Sequence, residues 1–232
     1  MALKELKSPF RWCDRHITIQ DRIWYVPGQY KNFDQFTFPG WSHPHLFGND
    51  QPIFLEYCSG NGAWIAARAK QSPTTNWIGV EMKFERVRKI WKKIKNLELN
   101  NLVAICGEGH TVTSHYFPAE SVDGVFINFP DPWPKRRHTK NRIIQSNFVS
   151  ELWRIMKKGS ALEFVTDDVD YGNWTLNIMQ KHSAFKCVYD APHYIIDHEG
   201  YGNSYFEDLW REQGKTIRYY RFRKDCDAIC SP

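Results

Sequence analysis

Ile53-Phe-Leu-Glu-Tyr-Cys-Ser-Gly60-Asn-Gly62 is the stretch on which the fold turns. Ile53 to Tyr57 is a short apolar run and reads as a buried strand. Gly60 and Gly62 lead from it into a helix expected over Ala63 to Lys70 and ended near Ser72-Pro73. The same alternation continues outward. Trp77 to Glu81 reads as a strand, followed by a long amphipathic helix to about Leu97. Leu102 to Cys106 and Asp123 to Asn128 are further strands, with a short helix up to Pro118 between them. A helical pattern over Ile143 to Met156 precedes a strand at Ala161 to Thr166, and a helix runs from Tyr171 to about His182. Phe185 to Asp190 and Thr216 to Phe222 complete seven expected strands. Strand alternating with helix implies an α/β fold, a mostly parallel sheet with helices on both faces. Ligands of such sheets bind at the carboxyl ends of the strands. The expected organisation is an N-terminal extension over 1–52, one α/β domain over 53–224 and a tail over 225–232.

A chain of 232 residues with a formal net charge of +5 suits one such domain. The charge matters for its placement. Lys83 to Lys95, Lys135 to Arg142 and Arg218 to Lys224 are basic runs, which suit a phosphate backbone if they are more than solvated faces. The six cysteines form no C-x-x-C pair, so they read as free thiols in a reducing compartment. No apolar run is long enough to span a membrane and the N-terminus lacks a signal-peptide core, so a cytoplasmic protein is expected. In the irregular, aromatic first 52 residues, Trp12, Trp24, Tyr25 and Tyr30 read as buried anchors, with base stacking as their other use. His43 and His45 lack a third ligand, and no metal site is expected.

The glycine turn lets a ligand approach the backbone closely. The dinucleotide pattern G-x-G-x-x-G fails in both registers, because Cys58 takes the first place in one and Ile65 the last in the other. Glu56, at the strand's end, would repel a pyrophosphate but suits a ligand bearing an ammonium and a sulfonium. The charge logic points to S-adenosyl-L-methionine and away from a nicotinamide cofactor. Glu81, nineteen residues after Gly62, stands where a carboxylate accepts from ribose hydroxyls. Glu108, just past the third strand, is placed to accept from the adenine amino group.

A second stretch, Asn128-Phe-Pro-Asp-Pro-Trp-Pro-Lys-Arg-Arg-His-Thr-Lys-Asn-Arg142, follows the fourth strand. Its three prolines on alternate positions fix φ and remove donors, making a stiff loop at a strand's carboxyl end. Asp131 and Trp133 beside Lys135, Arg136, Arg137, Lys140 and Arg142 suit a base held next to its phosphate backbone. Trp133 either stacks on that base or braces the loop.

The glycine turn and its strands resemble a class I S-adenosylmethionine-dependent methyltransferase with a Rossmann-like fold. The run from Asn128 to Lys135, together with Arg137-His-x-Lys140-x-Arg142, resembles the tRNA (guanine-N7-)-methyltransferase family. Thr166-Asp167 and Ser204-Tyr-Phe-Glu207 match it too, and the similarity runs from about Ile53 to Arg223. The resemblance implies that Glu56, Glu81, Glu108 and Asp131 line the pocket for cofactor and target. It implies that Lys135, Asp167, Ser204, Tyr205, Phe206 and Glu207 contact the substrate, a tRNA methylated at a variable-loop guanosine. The chain departs from the family in carrying Cys58 where glycine is usual, Glu108 where Asp is commoner and Ser204 for a customary Thr. If position 58 needs positive φ, its side chain costs about 1 kcal/mol.

Guanine N7 has a lone pair and no proton, so its methylation needs no general base and rests on positioning and electrostatics. Asp131 is the expected holding residue, accepting from guanine N1–H and N2–H₂, with Asp167 and Glu207 as other candidate acceptors. Two rival readings remain open. One is an amino-group methyltransferase acting on adenine or cytosine. The other is an RNA-binding module that kept the fold and lost turnover at Cys58. No obligate protein partner is inferred.

Overall fold

A computed structural model of the chain describes residues 5–9, 15–28, 35–196, 198–202 and 205–225. The chain divides into two compact units, 1–118 and 119–232.

In the first unit, β3 (Ile53–Tyr57), β4 (Asn76–Glu81) and β5 (Leu102–Cys106) pair in parallel, in the order β5-β4-β3. All six residues of β4 are buried, as are the first four of β5. Strands covered on both faces must be apolar throughout, which is why these runs show no alternation. The registers set Glu56 beside Gly79 and Glu81 beside Cys106, so the strand ends form a common rim. Helix α1 (Ala63–Gln71) lies against β4 and α2 (Phe84–Asn96) against β5. Helix α2 buries Val87, Ile90, Trp91 and Ile94, a stripe at helical spacing. Helix α3 (Gly109–Tyr116) closes the unit. Buried Asn101 clasps the end of α1: its amide donates to the carbonyls of Ala69 (2.9 Å), Ser72 (3.0 Å) and Thr75 (2.8 Å). Ala69 lies in the last turn, where carbonyls lack helical donors, and Ser72 and Thr75 belong to the turn that follows, so the clasp ties the helix end to its exit.

Residues before Ile53 are more than an appendage. β1 (Thr18–Gln20) and β2 (Ile23–Tyr25) form an antiparallel pair, and β2 joins β5 in parallel, with Tyr25 beside Cys106. Trp24 and Tyr25 are buried, and the Trp24 ring stacks on Phe38 at 5.0 Å. The anchoring expected of these two aromatics is therefore found, whereas Trp12 and Tyr30 lie outside the described residues.

In the second unit, β6 (Val122–Asn128) pairs in parallel with β7 (Met156–Thr166). β9 (Arg218–Lys224) then pairs antiparallel with both β7 and β8 (Phe185–Cys187). Helices α4 (Ser146–Ile155), α5 (Val169–Lys181) and α6 (Tyr205–Glu212) complete it. All seven expected strands are present, but the described residues hold nine, because the short pair before residue 53 adds two. The late strand expected over 185–190 stops at Cys187, and its partner runs from Arg218 to Lys224. Among the described residues no helix is long and apolar enough to cross a membrane, and no cluster of metal-ligating side chains occurs. Cys58, Cys106 and Cys187 are free thiols, as expected, while Cys13, Cys226 and Cys230 lie outside the described residues.

Candidate active site

The rim of the first unit is built around one turn. Cys58, Gly60 and Gly62 all adopt left-handed backbone, with φ of 59°, 55° and 72°. At Gly62 only glycine fits, since a Cβ there would stand 2.7 Å from Ile90 Cγ1 and 3.3 Å from the backbone of α2. At Cys58 a side chain is present despite the positive φ, so the conditional cost read from the sequence applies. The turn is held by its neighbours. Ser59 N–H donates to the Val80 carbonyl (3.2 Å) and its hydroxyl to the Glu56 carbonyl (2.9 Å). Gly60 N–H donates to Glu81 Oε2 at 3.1 Å.

Glu81 is therefore a brace as well as a candidate ligand. Its Oε1 accepts from Lys83 N–H at 2.8 Å, and Arg86 forms an ion pair with Oε2 at 3.5 Å. A carboxylate offers about four acceptor sites, so these contacts leave room for ribose hydroxyls. Burial, followed by the nearby charge of Glu81, pushes the Cys106 thiol up to about 11, which keeps it protonated and inert. Glu56 is buried at the end of β3. Glu108 caps α3: Oε1 accepts from His110 N–H (2.9 Å), and Oε2 accepts from Thr111 N–H (2.7 Å) and from its hydroxyl (2.6 Å). Burial works to raise the Glu108 pKa, but the hydrogen bonds from Thr111 and His110 outweigh it and hold the carboxyl below its ordinary range. Glu56, Gly60, Gly62, Glu81 and Glu108 thus stand at the carboxyl ends of the parallel strands β3, β4 and β5 or just past them.

In the second unit, the proline-rich loop leaves β6 beside the end of β7, where Phe129 N–H donates to the Val165 carbonyl at 2.9 Å. Phe129 and Trp133 both have φ of 46°, and both precede proline. Side chains rarely adopt that conformation, and proline narrows the choice further. Two such residues within five positions mark stored strain, which must be held in place from outside the loop. The holding contacts are visible. Tyr201 O–H donates to Asn128 Oδ1 at 2.6 Å in a buried pair. Arg142 Nε donates to the Pro132 carbonyl at 2.7 Å. Trp133 is half-buried with its ring edge-on to His138, which favours the bracing role.

Asp131 is exposed at the loop's crest, and Lys135, Arg136, Arg137 and Lys140 are exposed along the 3-10 helix Arg136–Asn141 and its cap. Arg142 departs from its expected role. It is buried, with its guanidinium 4.7 Å from the Tyr171 ring centroid and 5.3 Å from that of Trp174. An arginine enclosed between two rings and spent on a carbonyl fastens the loop to α5; the geometry does not offer it to phosphate. Asp167, at the end of β7, accepts from Lys215 Nζ at 2.6 Å. Buried Glu207 accepts from Tyr219 O–H (2.5 Å) and from Arg211 Nε and Nη2 (3.1 Å each). Burial, and then the hydrogen bond to Glu207 and its charge, raise the Tyr219 pKa, so this phenol remains a donor. Tyr205 is exposed, Phe206 stacks on Trp210, and Ser204 lies outside the described residues. Tyr201 and Tyr219 are the residues that sequence reasoning missed. Their partners Asn128 and Glu207 are 73 and 12 residues away, separations at which no periodicity gives a signal.

A family model described as "Putative methyltransferase" matches residues 50–219, which include both the glycine turn and the proline-rich loop. The tRNA (guanine-N(7)-)-methyltransferase of Chlamydia felis is 42% identical over 224 residues, covering 97% of this chain and 98% of that protein. The chain belongs to the tRNA (guanine-N(7)-)-methyltransferase family. A more distant member, from Rubrobacter xylanophilus, is 29% identical over 79% of this chain and 81% of its own. Among solved structures, an antibiotic-related methyltransferase matches with a TM-score of 0.53 at 19% identity, covering 77% of this chain and 90% of that one. A SAM-dependent O-methyltransferase from Thermotoga maritima matches with a TM-score of 0.51 at 15% identity, covering 77% and 61%. At such identities the likeness shows the fold alone: this family member has the Rossmann-like class I methyltransferase fold. Neither rival reading finds support among these relatives.

Proposed function

We propose that the protein transfers a methyl group from S-adenosylmethionine to N7 of a guanine in tRNA, with the variable-loop guanosine as the finer expectation. The observation that carries the reading is the near full-length match to tRNA (guanine-N(7)-)-methyltransferases, joined to a rim of three carboxylates beside a left-handed glycine turn.

The residues suit the donor. Glu56, Glu81 and Glu108 present anionic acceptors to a ligand with an ammonium, a sulfonium and ribose hydroxyls. Within the turn, Gly60 leaves its backbone open to a ligand, since a Cβ there would meet only the Cys58 carbonyl at 3.8 Å. S-adenosylmethionine supplies an electrophilic methyl carried on a sulfonium. Against it, the chain has to present the N7 lone pair and stabilise the positive charge that spreads over the purine as the bond forms. Asp131 suits both tasks, accepting from N1–H and N2–H₂ on the edge away from N7 while bringing a full negative charge near the ring. No side chain need take a proton in the methyl-transfer step. A stacked guanine cannot present N7 to a closed site, so the nucleotide has to leave its stack, and Tyr205 and Phe206 offer aromatic surface to receive it. Lys135, Arg136, Arg137 and Lys140 hold phosphates and set affinity, leaving base choice to Asp131 and its neighbours.

The test is to incubate the protein with unmodified tRNA and labelled S-adenosylmethionine and map the labelled nucleotide. The expected product is one 7-methylguanosine per tRNA. Label on adenine or cytosine, or none at all, would overturn the reading.

A further inference from the structure

The basic run on α2 is not absorbed by the site described above. Six of the thirteen residues from Phe84 to Asn96 are cations, and they fall into two groups. Arg86, Arg88 and Lys95 are neutralised: Arg86 by Glu81, Arg88 by Glu85 and Glu5, and Lys95 by Asp21. Lys89, Lys92 and Lys93 make no ion pair among the described residues.

The buried stripe of Val87, Ile90, Trp91 and Ile94 fixes the rotation of the helix. At 3.6 residues per turn, Lys89, Lys92 and Lys93 then occupy an arc of about 100° on the opposite side. Lys89 and Lys92 are exposed, and Lys93 is half-buried. Lys89 and Lys93 are four residues apart, so like charges stand one above the other, an arrangement that disfavours the helix. The ammonium of Lys93 is correspondingly easier to deprotonate, first through burial and then through the field of Lys89. Favourable interaction with the helix dipole accounts for cations in the last turn, Lys93 and Lys95, and leaves Lys89 and Lys92 unexplained. An anion shared among the three would relieve the repulsion. Over four residues the helix rises about 6 Å, and long lysine stems let each ammonium find its own phosphate along a strand.

We propose that Lys89, Lys92 and Lys93 form a phosphate-holding ridge for the tRNA backbone, in addition to the cations of residues 135–140. The proposal rests on the tRNA methyltransferase reading and adds a second, sequence-independent contact surface to it.

The experiment measures tRNA affinity across a salt series for the wild type, for a Lys89→Gln, Lys92→Gln, Lys93→Gln triple variant, and for Lys95→Gln as a paired-cation control. The triple variant should lower the slope of log affinity against log salt by about two to three and weaken binding about tenfold or more at moderate salt. Its circular dichroism and its affinity for S-adenosylmethionine should match the wild type, and arginine at all three positions should restore the slope. Lys95→Gln should leave the slope in place. An unchanged slope in the folded triple variant overturns the ridge, as does an equal loss in Lys95→Gln, which would reduce the effect to bulk charge. A wild type that does not methylate tRNA overturns the functional reading, and the ridge with it.

Discussion

The rim of the first unit and the loop of the second hold their charges in opposite ways. Glu81 and Glu108 are tied to backbone N–H groups of the turn, of Lys83 and of α3, so their positions are set before any ligand arrives. Along the loop, Asp131 and the cations from Lys135 to Lys140 stand in solvent, while the backbone beneath them is strained at Phe129 and Trp133 and fastened by Tyr201 and Arg142. The rim spends hydrogen bonds to fix side chains. The loop spends them to fix backbone and leaves its side chains for a partner. A small donor that must be held in one geometry suits the first arrangement, and a long polyanion met across many registers suits the second.

Three substitutions would break or sharpen that contrast. Asp131→Ala should act on the chemistry alone: kcat for tRNA methylation should fall about 10²–10³-fold while tRNA affinity holds. Equal turnover in single-turnover assays would remove Asp131 from the reaction. Gly62→Ala should act on the rim alone, because the new Cβ meets Ile90 and the residue must keep a φ of 72°. A loss of about 2–3 kcal/mol in chemical denaturation is expected, with weakened S-adenosylmethionine binding by calorimetry. Wild-type stability and binding would mean that the turn is plastic. The smallest effect is a gain. Cys58→Gly relieves a left-handed side chain at φ 59° but loosens the unfolded chain, leaving a net stabilisation of about 0.5 kcal/mol, or roughly 1–2 °C in melting temperature. A lower melting temperature would show that the thiol contributes packing that the backbone cost conceals.

Much of the rim was legible in the sequence because parallel strands advertise themselves as unbroken apolar runs, and their ends are marked by acids and glycines. Ile53–Tyr57 and Leu102–Cys106 match expectation residue for residue. The pair Thr18–Gln20 and Ile23–Tyr25 was not legible: three residues are too few to show a period, and the surrounding aromatics read as irregular chain. Met156–Ser160 was missed as strand because two lysines and a glycine open it, yet β7 begins directly after α4, with a shift of register against β6. On the loop, residue types revealed the basic run but not its direction. Arg142 looks like its neighbours in the sequence and differs from them only because Tyr171 and Trp174, a helix away, enclose it.

The parallel seating of β2 on β5 carries a consequence for anyone trimming this protein. A version begun at Ile53 would keep every motif named above and still lose the strand that occupies one flank of β5. The amide ladder from Ala104 to Cys106 would then lie bare, a ready template for another chain, and self-association would follow from removing the extension.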